Sequence, residues 1–160
     1  MAYRFYIIIL VLLNVGCDQI TKGVVRENVM SRDYIELLND NLILTNVENT
    51  GAMLGFGASF PPFVKIILLQ LLPVLVLLVL LYRVLRKETK HTWLVIAFTF
   101  VIGGGIGNLI DRIAYGSVTD FFQIRLGIFK TGIFNMADVA VTTGVLLIVF
   151  LNLFSKKMHS

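Results

Sequence analysis

Residues 63–82 read F-V-K-I-I-L-L-Q-L-L-P-V-L-V-L-L-V-L-L-Y, a run of leucine, valine and isoleucine interrupted only by Lys65, Gln70 and Pro73. As a helix this stretch would rise about 30 Å at roughly 1.5 Å per residue, the thickness of a bilayer's hydrocarbon. A helix that packs on a water-soluble core keeps a polar face, and this run has none. It reads as a membrane span. Three more runs reach comparable length. Residues 93–110 carry no charge, residues 137–154 carry only Asp138 at the start, and residues 5–25 are apolar, apart from Asn14, as far as Cys17.

Composition agrees with four spans. Apolar residues make up 57% of the 160 and charged residues 15%, where soluble domains sit nearer half and a quarter. Mean hydropathy is +0.84. A single cysteine closes no intramolecular disulfide. The opening stretch M-A-Y-R-F-Y-I-I-I-L-V-L-L-N-V-G-C also has the layout of a lipoprotein signal peptide ending at Cys17. Three further spans count against that reading, because a polar exported domain should follow such a signal. Asn14 also stands where these signals usually carry leucine. Cys17 is read instead as a small apolar residue within the first helix.

Charge orients the spans. The N-terminus, the loop 83–91 and the C-terminal tail hold Arg4, Arg83, Arg86, Lys87, Lys90, Lys156 and Lys157 against Glu88 alone, a net +6. The rest of the chain holds seven basic residues and nine acids, a net −2, which restores the overall +4. The positive-inside rule then places both termini in the cytoplasm. The basic pI near 9.4 reports topology and calls for no nucleic-acid partner. The expected fold is an all-α polytopic membrane protein, one membrane domain over 1–160, with spans at about 5–25, 63–82, 93–110 and 137–154. The outer segments 26–61 and 111–137 would form a small cap of β structure and interfacial helix. Within it, N-L-I-L-T-N-V-E-N-T-G-A (41–52) suggests an extended element with a turn at Asn49 to Gly51.

Ionisable groups at membrane depth are functional candidates by default. Asp18, Asp111, Asp120 and Asp138 qualify. Structural readings stand beside each. Asp18 and Lys22, four apart in the favourable order, form a helix-face ion pair. Asp111 with Arg112 makes an interfacial pair, and Asp138 at a helix start serves as an N-cap. Asp120, in V-T-D-F-F after Gly116, is harder to dismiss. If 111–137 folds back, Asp120 and Asp138 meet. Two carboxylates about 4 Å apart repel by roughly 4 kcal/mol at an effective dielectric near 20. That is about three pKa units, enough to keep one protonated while the other is ionised, as acid–base hydrolysis requires. Gly103 and Gly107 form a G-x-x-x-G pair suited to close helix packing. His91 and His159 are isolated, and no metal-ligand, Ser-His or phosphate-loop pattern occurs.

Together the stretches D-Q-I-T-K (18–22), N-T-G-A (49–52), G-G-G-I-G-N-L-I-D-R (103–112), G-S-V-T-D-F (116–121) and F-N-M-A-D (134–138) resemble the lipoprotein signal peptidases (signal peptidase II), in the family's order and over essentially the whole chain. That resemblance implies a bacterial inner-membrane aspartyl endopeptidase with its site near the outer face. Its substrates would be diacylglyceryl prolipoproteins drawn from the surrounding membrane lipid, cleaved on the N-terminal side of the lipidated cysteine. Asp120 and Asp138 would be the catalytic pair. Asp18, Lys22, Asn49, Gly51, Gly104, Asn108, Asp111, Arg112, Asn135 and Ala137 would support the site or bind substrate. The resemblance implies no metal or organic cofactor, no nucleic-acid partner, and a monomer. Cys17, where the family usually has a plain apolar residue, and Met53, after N-T-G-A, depart from the pattern away from the proposed chemistry. The competing reading is a small transporter or proton-relay protein using the same carboxylates. It leaves the second outer connection without a purpose.

Overall fold

Pro62 opens the helix that contains the leucine-rich run, a position where its missing N–H is not needed. In the computed structural model, which describes residues 2–39, 41–86 and 91–155, that helix is α2 (Pro62–Leu85). Beside it stand α1 (Ala2–Asn28), α3 (Thr92–Tyr115) and α4 (Met136–Ser155). Asp40, Lys87, Glu88, Lys90, Lys156, Lys157 and His159 lie outside the described residues. Within α2, Ile66–Leu71 winds as a π-helical stretch immediately ahead of Pro73, and the Leu72 N–H reaches five residues back to the Ile67 carbonyl. Pro73 cannot complete an α-helical bond. Leu68, Leu71, Leu75, Leu78 and Val79 are all exposed along this helix, a surface that only lipid can solvate.

α3 is the centre of the bundle, and each neighbour meets it at a glycine. A methyl group on Gly103 would come within 2.5 Å of the Asn14 Cβ of α1, and one on Gly107 within 2.5 Å of an Asp18 oxygen. Gly104 faces the Ala137 carbonyl of α4, and Gly105 faces Leu77 of α2 at 2.7 Å. Association in lipid depends on such close approach, because burial from water is not available as a driving force. Ile7, Val11, Val84, Val95 and Ile102 pack where α1, α2 and α3 meet.

α1 ends, α2 begins, α3 ends and α4 begins at the same end of the bundle, and the polar segments collect there. They form a four-stranded antiparallel sheet in the order β1 (Ile35–Leu37), β2 (Leu42–Asn49), β3 (Val118–Leu126) and β4 (Phe129–Lys130). β2 pairs with β3 from Leu42↔Ile124 to Asn49↔Val118, with a bulge between Leu44 and Val47. Gly116 takes φ +75° to end α3, its N–H bonded to the Arg112 carbonyl, and so turns the chain directly into β3. Phe121 packs on Val25 and Val29 and seats the sheet on the end of α1.

Four long apolar helices and a small antiparallel sheet accord with the expected membrane class. Two corrections concern detail. The β structure expected in the cap is more extended than the short element read at 41–52, because 42–49 and 118–126 pair as long strands. Among the described residues, the interfacial helix of that cap reduces to one 3-10 turn, Met53–Gly55, in which Leu54 and Gly55 adopt positive φ.

Candidate active site

The first turn of α4 is closed by a reciprocal cap. Asn135 Oδ1 accepts the Asp138 N–H at 3.0 Å, and Asp138 Oδ2 accepts the Asn135 N–H at 3.2 Å. This is a capping box with Asn135 at the N-cap and Asp138 three residues in. The expectation that Asp138 is itself the N-cap is therefore corrected. The helix N-terminus favours its negative charge, and the second oxygen, Oδ1, accepts from Asn108 Nδ2 at 2.8 Å.

Asp120 comes from β3, opposite Val47, and is 4% exposed. Each of its oxygens meets an amide. Oδ1 accepts from Asn135 Nδ2 at 2.6 Å and Oδ2 from Asn49 Nδ2 at 2.9 Å. Asn135 thus touches both aspartates, one through its side chain and one through its main chain. Burial pushes the Asp120 carboxyl up to about 6, and the charge of Asp138 adds to that rise. The hydrogen bonds from Asn49 and Asn135, and the charge of Lys22, act the other way. The turn that carries Asn49 is fixed by Gly51, whose N–H bonds to Asn49 Oδ1 at 2.9 Å. Any side chain on Gly51 would strike the Phe56 carbonyl at 2.6 Å.

Beneath the pair lies a buried ionic cluster. Lys22 is fully buried, and its three N–H donors meet three acceptors: Asp18 Oδ2 at 2.7 Å, Asp111 Oδ2 at 3.0 Å and Asn108 Oδ1 at 3.0 Å. Asp18 Oδ1 also accepts the Ala137 N–H at 2.8 Å and ties α1 to the first turn of α4. Arg26 joins Asp111 at 3.0 Å, donates to Thr119 Oγ1 at 2.7 Å, and stacks on Tyr115. Two acids thus balance two bases. Removing one partner of such a cluster typically costs about 3–5 kcal/mol. Asp111 does not pair with Arg112, because successive helix residues face about 100° apart. Asp111 looks toward α1, whereas Arg112 reaches the Gly51 carbonyl at 3.1 Å.

Asp120 and Asp138 line one cavity of about 570 Å³, with Asn49, Asn108 and Arg112 on its polar side. Val139, Val141, Thr142 and Thr143 continue it along α4. Arg112 Nε is buried with no hydrogen-bond partner among the described residues. No group of three His, Cys, Asp or Glu side chains that could hold a metal occurs among them either.

A family model described as "Signal peptidase (SPase) II" matches residues 8–154. The chain belongs to the signal peptidase II family. Its members are peptidases. The chain is 36% identical over 141 residues to a lipoprotein signal peptidase of Symbiobacterium thermophilum, covering 86% of this chain and 88% of that one. It is 35% identical over 153 residues to that of Clostridioides difficile, covering 95% and 97%. A solved bacterial membrane enzyme superposes with a TM-score of 0.85 at 26% identity, over 97% of this chain and 92% of the other.

All twelve residues singled out from the sequence fall in or directly beneath this network. Gly104 and Ala137 enter through backbone: a side chain on Gly104 would meet the Ala137 carbonyl. Reasoning from sequence missed Gln19, which donates to Asp111 Oδ1 at 3.0 Å, and Arg26 and Thr119. Arg26 had a signal, since Asp18, Lys22 and Arg26 repeat every four residues along one helix face. Glu48, bonded to Ser117 and Thr119 across the sheet, had none.

Proposed function

We propose that this chain is an aspartyl endopeptidase of the inner membrane that removes the signal peptide from diacylglyceryl prolipoproteins, cutting on the N-terminal side of the lipidated cysteine. The observation that carries the reading is the shared cavity of Asp120 and Asp138, with Asn135 bonded to both. Asp138, at a helix N-terminus and accepting from Asn108, suits the ionised base. Asp120, buried and raised toward neutral pH, suits the protonated acid.

Asp138 would take a proton from water as its oxygen attacks the scissile carbonyl carbon, while Asp120 gives its proton to the carbonyl oxygen. The resulting gem-diol collapses with cleavage of the C–N bond. Asp138 returns its proton to the leaving nitrogen, and Asp120 recovers one from a gem-diol hydroxyl. The pair ends as it began, with no cofactor. A lipid-anchored substrate would enter sideways from the bilayer along the α4 side of the cavity. The site would face the outer surface, with both termini cytoplasmic and the protein acting as a monomer.

Mobility on a gel of a diacylglyceryl prolipoprotein incubated with the purified protein tests this reading. Asp120→Asn and Asp138→Asn should each abolish the shift while insertion and expression persist. The double variant should be no worse than either single one, because the two act as a unit. A single variant retaining more than about a tenth of the parent rate, a barrier change under roughly 1.4 kcal/mol, would remove that aspartate from the chemistry.

A further inference from the structure

We infer that the edge of the sheet at Gly132–Ile133 receives the substrate's main chain as an added strand, an inference that rests on the peptidase reading above. β4 is the last strand of the sheet, so among the described residues one side of 129–134 faces no further strand. The inner side is paired: Arg125↔Lys130, Thr131 N–H to the Ile124 carbonyl at 2.9 Å, and Phe134 N–H to the Phe122 carbonyl at 2.8 Å. Between the last two bonds, Gly132 and Ile133 together oppose Gln123 alone, which makes a bulge. The Gly132 carbonyl accepts only the neighbouring Thr131 hydroxyl. Among the described residues, the Gly132 N–H and both main-chain groups of Ile133 have no hydrogen-bond partner. Thr131, Gly132 and Ile133 line the same cavity as Asp120 and Asp138. Gly132 presents bare backbone there, covered only by the tip of the Leu54 side chain.

The chemistry of the substrate supplies the need for such an edge. A membrane-inserted signal peptide satisfies its backbone by being helical, but a carbonyl wrapped in a helix is shielded from attack. The residues beside the scissile bond must therefore unwind, and their N–H and C=O groups lose their partners where water is scarce. An unpaired strand edge replaces those partners through main-chain bonds. Recognition of this kind ignores side-chain identity except at alternate residues that point toward the enzyme. One site could then accept many signal peptides.

Amide-to-ester replacement, one position at a time on the N-terminal side of the cut in a synthetic lipidated substrate, tests this against the unaltered full-length enzyme. An ester removes a single N–H with little change of shape. The expected result is a KM raised about tenfold or more at alternate positions, with kcat within roughly threefold and the intervening positions silent. A flat profile, or losses confined to kcat, overturns strand addition while leaving the peptidase reading intact. Absence of cleavage of the all-amide substrate would overturn both. On the enzyme side, Ile133→Pro removes one donor and should reproduce the rise in KM. A Pro variant that folds and keeps the parent KM also counts against the proposal.

Discussion

Asn108 shows how one side chain can be given a fixed orientation by a charge. Its two ends differ only in hydrogen-bonding sense, yet Lys22 donates and never accepts, so the amide oxygen must face the ammonium and the NH2 must face Asp138. Asn49 tunes the other aspartate. Its bond to Asp120 Oδ2 favours the ionised form, so Asn49→Ala should raise the Asp120 pKa further. Protonated Asp120 is the active form under the proposed mechanism, and activity falls as pH rises through its pKa. In kcat/KM, which reports the free enzyme, that basic limb should lie at about 6 in the parent. It should move to still higher pH in Asn49→Ala, while the maximum rate falls. A pH profile of kcat/KM checks this, and a shift toward lower pH would contradict it. The site's legibility had limits at this scale. Asp18 and Lys22 could be paired from spacing alone, whereas the contacts of Asp111 with Lys22 and Arg26 cross between helices. No local spacing encodes a crossing.

At the scale of elements, the four spans were legible because lipid leaves whole helices apolar, as in 63–82. The sheet was half legible: 41–52 suggested an extended element and the alternating apolar residues of 111–137 suggested strands, but the pairing of 42–49 with 118–126 depends on a turn at Gly116 more than sixty residues away. Interhelical spacing is decided by the glycines of α3, and Gly104→Ala measures it. The new methyl would strike the Ala137 carbonyl and approach Val141 Cγ2 at 2.9 Å, neither of which can rotate away without moving the first turn of α4. Overpacking of this kind costs about 1–3 kcal/mol, and the displacement carries Asp138 with it. We expect a lower unfolding temperature in detergent and a cleavage rate reduced at least about tenfold. Gly16→Ala is the matched comparison. Nothing lies within 4 Å of its new methyl, and helix propensity favours alanine by up to roughly 1 kcal/mol. It should leave both measurements unchanged or slightly improved.

For the molecule as a whole, the sheet and the acidic side chains of the described residues gather at one end of the bundle, and the start of α1, the end of α2, the start of α3 and the end of α4 lie at the other. With the basic excess read from the sequence, this gives a topology that reporter fusions can measure. Fusions after Arg86 and at the C-terminus should read cytoplasmic, and one at Asn41 should read exported; a cytoplasmic signal at Asn41 would invert the orientation. The π-helical stretch at Ile66–Leu71 bears on how α2 sits within that arrangement. Two lengths of helix share one axis there but differ in phase. The upper carries Phe63 and Lys65, and the lower sets Leu77 against Gly105. The stretch holds about one residue more than an α-helix needs for the same rotation, so removing one residue there would let α2 close as a regular helix with both lengths facing as they do now, whereas a deletion elsewhere in α2 would turn the parts on either side against each other by about 100°. The π stretch is thus the one place in α2 where a residue can be lost without changing which way Phe63 and Leu77 face, while a deletion on either side of it turns Phe63 about the helix axis.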